Sequence, residues 1–501
     1  MASTLNGISL WEERAQDKRR RILSQVPSEF IHQELTHSLE DVSSVQDIPS
    51  KYLSPTELAT KIYSAVEVLN AFTHRAAIAH RLLHCCLDVP YHASLVRAKE
   101  LDEYLEKTGN TIGPLHGLPI SVKDQCRLIG TETTCGSIYP LGNPDTDDAV
   151  VVKILKDAGA VIFAKTSLSI GCMWGETVNN ILGRACNPFN RTFSCGGSSG
   201  GEGALIGFHA SPLGISSDLG GSVRSPSAYQ GLCGLRPTSG RIPYYRMLNS
   251  MEGQQTILSV AGPMATTAEA VELFTKIVVD TRPWMLDPIT SGRKLRIGVL
   301  EWDDICLPQP PIRNALKIVA KALKAAGHEL VPWKLDTNRA VELVLRVMCE
   351  VGRATYGVGL RSRWRPNTLL ESWDLSMECL DFRASVLKQW HETARDGLPE
   401  MDAFLAPVNP AVAPRHGDYS KVRYFAYTAS VNIPRLPRLT IPVGFVDPKM
   451  DLADETSLTK DAEGNPLPPP TCERDETIRR KFDPETYKGN AGDATGGGEK
   501  I

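Results

Sequence analysis

Apolar positions recur at i, i+3 and i+4 through PTELATKIYSAVEVLNAFTHRAAIAHRLLH, so residues 55–108 are predicted to be rich in helix. Ser54 followed by Pro55 has the form of an N-cap and first-turn proline. A second helix is predicted around residues 92–107, ended by Gly109, and the adjacent Cys85 and Cys86 fall within the helical pattern. Upstream, SLWEERAQDKRRRIL reads as a short amphipathic helix whose Arg19, Arg20 and Arg21 face solvent. The period then changes. LPISVKD (118–124) is a short apolar run of strand length, which places Lys123 at a strand's C-terminal end, where α/β sheets present reactive groups. A helix over 148–157, the strand AVIFAK, a helix from Ser199, the strand PLGISSDL and a helix near Arg224–Tyr229 follow. RIGVL, IRNALKIVAKALKAAG and HELVPW repeat the alternation, a long helix is predicted over 373–395, and DAFLAPV and LTIPVGF read as late strands. Strand-then-helix alternation predicts an α/β protein with a largely parallel sheet.

A chain of 501 residues can bury a large core without disulfides or metal. A net charge of −3 argues against a nucleic-acid-binding surface. No apolar run reaches the length of a membrane span, and the N-terminus turns charged before a signal-peptide apolar region could form. Twelve cysteines lie irregularly from Cys85 to Cys472 without CxxC spacing, as expected of reduced, buried small side chains in a cytoplasmic protein. Eleven histidines form no HExxH or other ligand set, so no metal site is expected. From about Asp451 the chain is polar and proline-rich, and residues 481–501 are expected to form a disordered tail.

Candidate chemistry gathers in two glycine clusters and one lysine. Gly196-Gly197-Ser198-Ser199-Gly200-Gly201 could be a flexible loop, an anion-binding helix start or, through its G-x-S-x-G match, a nucleophile elbow. Asp218-Leu219-Gly220-Gly221-Ser222-Val223-Arg224 runs from a strand into a helix. Such a turn can aim successive N–H groups into one small volume, or Ser222 can simply cap the helix. Lys123 would be an ordinary surface charge if exposed. Desolvated at a strand end, its neutral form is favoured and can act as a base.

Read in order, GPLHGLPISVKDQ, KTS, ETVNN, NPFN, SCGGSSGGEGAL, GISSDLGGSVRSPSA, GLCGLRPTSGR and GPMA resemble the amidase signature family. The match is dense over residues 112–265. WEERAQDKR, RAAIAH, ETVNNILGR and NSMEGQ point within it to fungal acetamidase-type enzymes. The resemblance implies one domain over residues 1–480, with a central mixed, mostly parallel β-sheet covered by helices on both faces. It implies Ser222 as acyl-forming nucleophile, Ser198 as proton relay after a cis bond from Gly197, and Lys123 as base. Main-chain N–H groups of Leu219, Gly220, Gly221 and Ser222 would hold the oxyanion, Asp218 and Arg224 would brace the loop, and Cys172 would line the acyl pocket beside Ser198. A small carboxamide would leave as carboxylate and ammonia or amine, with no cofactor, and the family suggests a homodimer.

Other readings stay open at this stage. An esterase using Ser198 would need a late histidine, and His391 and His416 are the candidates. A glutaminase-like subunit of an amidotransferase would need a partner protein. A homologue that has lost activity, or a biosynthetic-pathway amidase with a different amide substrate, is the third. The chain departs from the family near Ile62–Val66, around 352–372 and at its C-terminal part, which looks truncated by a strand and a closing helix. Such a loss is expected to expose a sheet edge and apolar surface.

Overall fold

The structure, a computed structural model, describes residues 4–5, 8–31, 63–279, 292–355, 367–395 and 397–487. The predicted Ser54–Pro55 cap and residues 488–501 lie outside the described residues.

Helix α1 spans Leu10–Ile22. Arg19, Arg20 and Arg21 are exposed, as the sequence suggested, and two of them also make contacts with the body of the protein. Arg19 donates to the Ile181 carbonyl and Arg21 pairs with both Asp17 and Glu132, while the buried Lys18 bridges Asp88 and Glu132 at 2.8 and 3.0 Å. Helix α2 (Ala65–Leu83) starts at a capping box: the Ser64 hydroxyl accepts the Glu67 N–H, and the Glu67 carboxylate accepts the Ser64 N–H at 2.8 Å. It stops at His84, whose φ of +53° turns the chain out of the helix. Cys86 therefore begins a strand, β1 (Cys86–Asp88), and the two cysteines do not continue the helix as their pattern predicted. Helix α3 (Tyr91–Thr108) ends, as expected, at Gly109.

The later strands of three or more residues are β2 (Pro119–Lys123), β3 (Val161–Thr166), β4 (Leu213–Asp218), β5 (Cys233–Arg236), β6 (Val260–Ala265), β7 (Arg296–Val299), β8 (Glu329–Pro332), β9 (Ala403–Leu405) and β10 (Arg438–Thr440). Seven form the central sheet in the order β10-β5-β6-β4-β2-β3-β1. It is mixed: β2 pairs in parallel with β3 and β4 at its centre, and the flanking pairs are antiparallel. A second, three-stranded sheet, β8-β7-β9, is parallel throughout.

Helices cover both faces of the central sheet. On one face α2 and helix α5 (Gly200–Gly207) bury Ile78, Leu82 and Leu205 against Phe163. On the other, helix α4 (Val150–Asp157) and helix α7 (Ala268–Val279) bury Val151 and Phe274 against Val122 and Ile215. Between α5 and α7 in the chain lies the short helix α6 (Arg224–Tyr229). Each such side chain removed from water contributes roughly 1.5–3 kcal/mol. Sandwiched between two apolar layers, β2 has no exposed residue, so Lys123 at its end is fully buried.

Two late segments depart from the sequence expectation. Residues 481–487 are packed: Tyr487 lies with its ring centre 4.9 Å from that of Phe193 and is buried with Phe482. The preceding helix Glu473–Arg480 carries a wholly buried Asp475–Arg479 pair at 2.9 Å. In contrast, the predicted strand LTIPVGF is in the sheet only through Thr440, in β10 at the sheet edge. Leu439, Ile441, Val443 and Phe445 are exposed along that edge.

Candidate active site

Three loops meet at the C-terminal ends of β2 and β4. Lys123 closes β2, and its Nζ donates to Ser198 Oγ at 2.7 Å and to Ser217 Oγ at 2.9 Å. Ser198 follows Gly197 through a cis peptide bond, just before α5. No side chain fits at position 197, because a Cβ there would stand 2.6 Å from the Trp174 carbonyl oxygen and 2.8 Å from Ser169 Oγ. The Ser199 N–H donates to the Ser222 carbonyl at 3.3 Å, tying the first glycine loop to the second. Ser198 and Ser222 thus line one cleft, with Cys172, Leu219, Gly220 and Gly221. Lys123 stands behind Ser198, away from the opening.

The second loop is braced from below. Asp218 ends β4, wholly buried, and its two oxygens take Arg224 Nη2 at 2.8 Å and Nε at 2.9 Å. Burial alone would raise its pKa, but Arg224 and then Arg236 hold the carboxyl well below the usual range. Arg224 also donates to the Thr428 carbonyl (2.8 Å) and to Asn432 Oδ1 (2.6 Å). Helix α6 begins beyond Ser222, with Val223 at the cap position and no side-chain cap, so Ser222 does not cap it. One expected oxyanion donor differs in geometry. The Gly221 N–H donates to Asp218 Oδ1 at 2.9 Å, and so is spent on the brace. Its φ of +130° and a Cβ position 2.8 Å from Thr428 Oγ1 explain the glycine. Among the described residues, no acceptor takes the N–H groups of Leu219, Gly220 and Ser222.

Cys172 lies in the left-handed region, φ +61°, with Sγ 3.5 Å from Gln125 Oε1. A hydrogen bond from the Cys135 thiol holds its pKa down at about 7 against the effect of burial, with Lys123 and Ser198 adding to the fall. Among the described residues no group of three or more His, Cys, Asp and Glu side chains could hold a metal ion, and all described cysteines are unbridged.

Comparison with known proteins shows the family. The family model described as Amidase matches residues 67–467. The chain belongs to the amidase family. It is 37% identical, over 530 aligned positions, to an acetamidase of Emericella nidulans, with 96% of this chain and 93% of that protein covered. An acetamidase of Aspergillus oryzae is 36% identical, with 96% and 94% covered. Among solved structures, a fatty acid amide hydrolase superposes with a TM-score of 0.81 at 27% identity, covering 95% of this chain and 90% of that one. This amidase is accordingly a hydrolase of carbon–nitrogen amide bonds. No described helix is long and apolar enough to cross a membrane.

Several side chains of the amidase's site escaped the sequence reading. Ser217 accepts from Lys123 and passes a 2.5 Å hydrogen bond to Gln125 Oε1, while Gln125 Nε2 donates to the Tyr244 hydroxyl at 2.7 Å. Ser217 has a signal in hindsight: on β4 it sits beside Asp218, one residue before the loop the glycines marked. Asn432, Thr428 and Tyr244 carry no signal, since folding brings them to the loop from far along the chain. The late histidines of the esterase reading lie elsewhere. His391 is largely exposed and pairs with Glu400, and His416 Nε2 contacts the Arg191 carbonyl oxygen at 2.9 Å.

Proposed function

We propose that this amidase hydrolyses a small carboxamide to a carboxylate and ammonia or an amine through an ester on Ser222, with Ser198 relaying protons to and from Lys123. The observation that carries the reading is the 2.7 Å contact between Lys123 Nζ and Ser198 Oγ in a cleft that Ser198 shares with Ser222. Lys123 is wholly buried, and among the described residues it has hydroxyl partners and no ion pair. An uncharged amine there can accept the Ser198 proton while Ser198 accepts that of Ser222, which makes Ser222 Oγ a competent nucleophile. The proton then returns by the same route to the leaving nitrogen. The Leu219, Gly220 and Ser222 N–H groups are the donors left to stabilise the oxyanion, each contributing on the order of 3 kcal/mol to the transition state. The cavity volume of about 80 Å³ suits a short amide, being several times what one water needs. The acetamidase relatives support the same substrate size.

The test is labelling with a serine-directed fluorophosphonate, followed by peptide mapping, alongside ammonia release from short aliphatic amides. Modification at Ser222, lost in Ser222→Ala, is the expected result. Labelling that persists in Ser222→Ala and vanishes in Ser198→Ala would make Ser198 the nucleophile and end this mechanism.

A further inference from the structure

The cleft that holds Ser222 is lined by one formally charged side chain, Arg423, and by no carboxylate. Arg423 follows the short helix Tyr419–Val422 and is half-buried. Its guanidinium carbon lies 5.0 Å from the Trp174 ring centre and 5.2 Å from that of Phe425. The Tyr419 ring meets Trp174 edge-on at 5.2 Å, fixing that wall. Glu176, the acid whose field reaches Tyr419, is engaged by Arg184 at 2.6 Å. Among the described residues Arg423 thus has aromatic neighbours, a hydrogen bond to the Tyr419 hydroxyl and no ion pair.

A guanidinium stays charged at every accessible pH, and withdrawing it part-way from water is costly unless an anion compensates. Two ring faces hold it by cation–π attraction, and that arrangement engages the flat of the group. The N–H groups not given to Tyr419 remain at its edge to grip a planar, two-oxygen acceptor, for which a carboxylate is the matching shape. Met173, Met251 and Met348 line the same cleft and offer an adaptable apolar lining to the body of a substrate.

We propose that the preferred amide of this enzyme carries a free carboxylate, as the monoamide of a dicarboxylic acid does, and that Arg423 binds that carboxylate while the amide end faces Ser222. This rests on the amide-hydrolysis reading above and adds the substrate class to it. The Arg423 fork takes both carboxylate oxygens, and the apolar lining takes the methylenes between the two ends.

The test uses matched pairs: succinamate, glutaramate and adipamate against butanamide, pentanamide and hexanamide, with kcat and KM measured for wild type and Arg423→Gln. The expected result is a preference of at least tenfold in kcat/KM for the acidic member of one pair, carried by KM, which shrinks by about tenfold in Arg423→Gln. A wild-type ratio at or below one for all pairs, or one that Arg423→Gln leaves intact, overturns the proposal. Adipate binding by calorimetry separates the two readings. If nothing is hydrolysed but adipate binds wild type at least tenfold more tightly than Arg423→Gln, the carboxylate site stands and the hydrolysis reading falls. Equal binding sinks the site whatever the turnover. Should Arg423→Gln fail to fold, wild type still decides, because a preference made by this charge declines as salt is raised, and a salt-independent one refutes it.

Discussion

Two lysines sit side by side in the centre of this protein with opposite surroundings. Lys123 ends β2, and Lys165 lies beside it on β3, paired in register with Val122; both are wholly buried. Lys165 faces carboxylates, Asp124 at 3.5 Å and Asp145 at 3.9 Å, and donates to Thr133 Oγ1 at 2.6 Å. Lys123 faces the hydroxyls of Ser198 and Ser217. The first is set against carboxylates, the second against hydroxyls that can exchange protons with it. Burial alone does not mark a reactive lysine; the absence of a counter-charge beside transferable protons does.

That contrast breaks or holds in paired substitutions. Lys123→Met should lower amide turnover by three orders of magnitude or more, with little loss of thermal stability, because no anion is left unpaired. Ammonia release and a melting curve decide it. Lys165→Met should do the reverse, costing about 3–5 kcal/mol in denaturant unfolding through the stranded Asp124, while Asp145 keeps Arg127 at 3.2 Å. Equal effects of the two changes on stability would erase the distinction. Asp218→Asn belongs with Lys165: it leaves Arg224 without its buried partner and should also cost about 3–5 kcal/mol, read in the same unfolding experiment.

A smaller effect comes from Glu202 on α5, a buried acid whose partners are the hydroxyls of Ser121 and Thr166, with Lys123 near enough to be felt. Burial pushes its pKa from 4.5 up to about 7, opposed by those two hydroxyls and by Lys123. The folded state therefore keeps a proton that the unfolded chain releases above about 4.5. Its contribution is full below that pH and declines as pH rises through about 7, by roughly 3 kcal/mol in all. In Glu202→Gln this part of the stability–pH slope should disappear from urea titrations at pH 4 to 8. The least demanding check is alkylation by iodoacetamide: Cys172, in the cleft, should react with a midpoint near pH 7 and ahead of the buried Cys126, whose thiol burial raises beyond that range.

What the sequence made legible were the parts whose chemistry is local. Glycines at 197 and 221 announced places where backbone passes close to other atoms, and the apolar run ending in Lys123 announced a buried strand end. The ordered segments over residues 112–265 carried the family resemblance. What it hid were partners set by packing. Gly221 looked like an oxyanion donor until Asp218 was seen to take its N–H. Ser217 looked like any strand residue until its contact with Lys123 was known, and Arg423 became notable only once Trp174 and Phe425 stood on either side of it. The tail was misread for a related reason: polar composition around residues 451–487 hides Phe482 and Tyr487, whose burial depends on Phe193, far earlier in the chain.

The brace on the Ser222 loop has a consequence for biogenesis. Arg224 is anchored to Thr428 and Asn432, which the ribosome adds some two hundred residues after it. Until that late segment emerges and docks, the loop lacks half of what fixes its shape. The nascent chain would then carry Ser222 on a loop whose shape is not yet set.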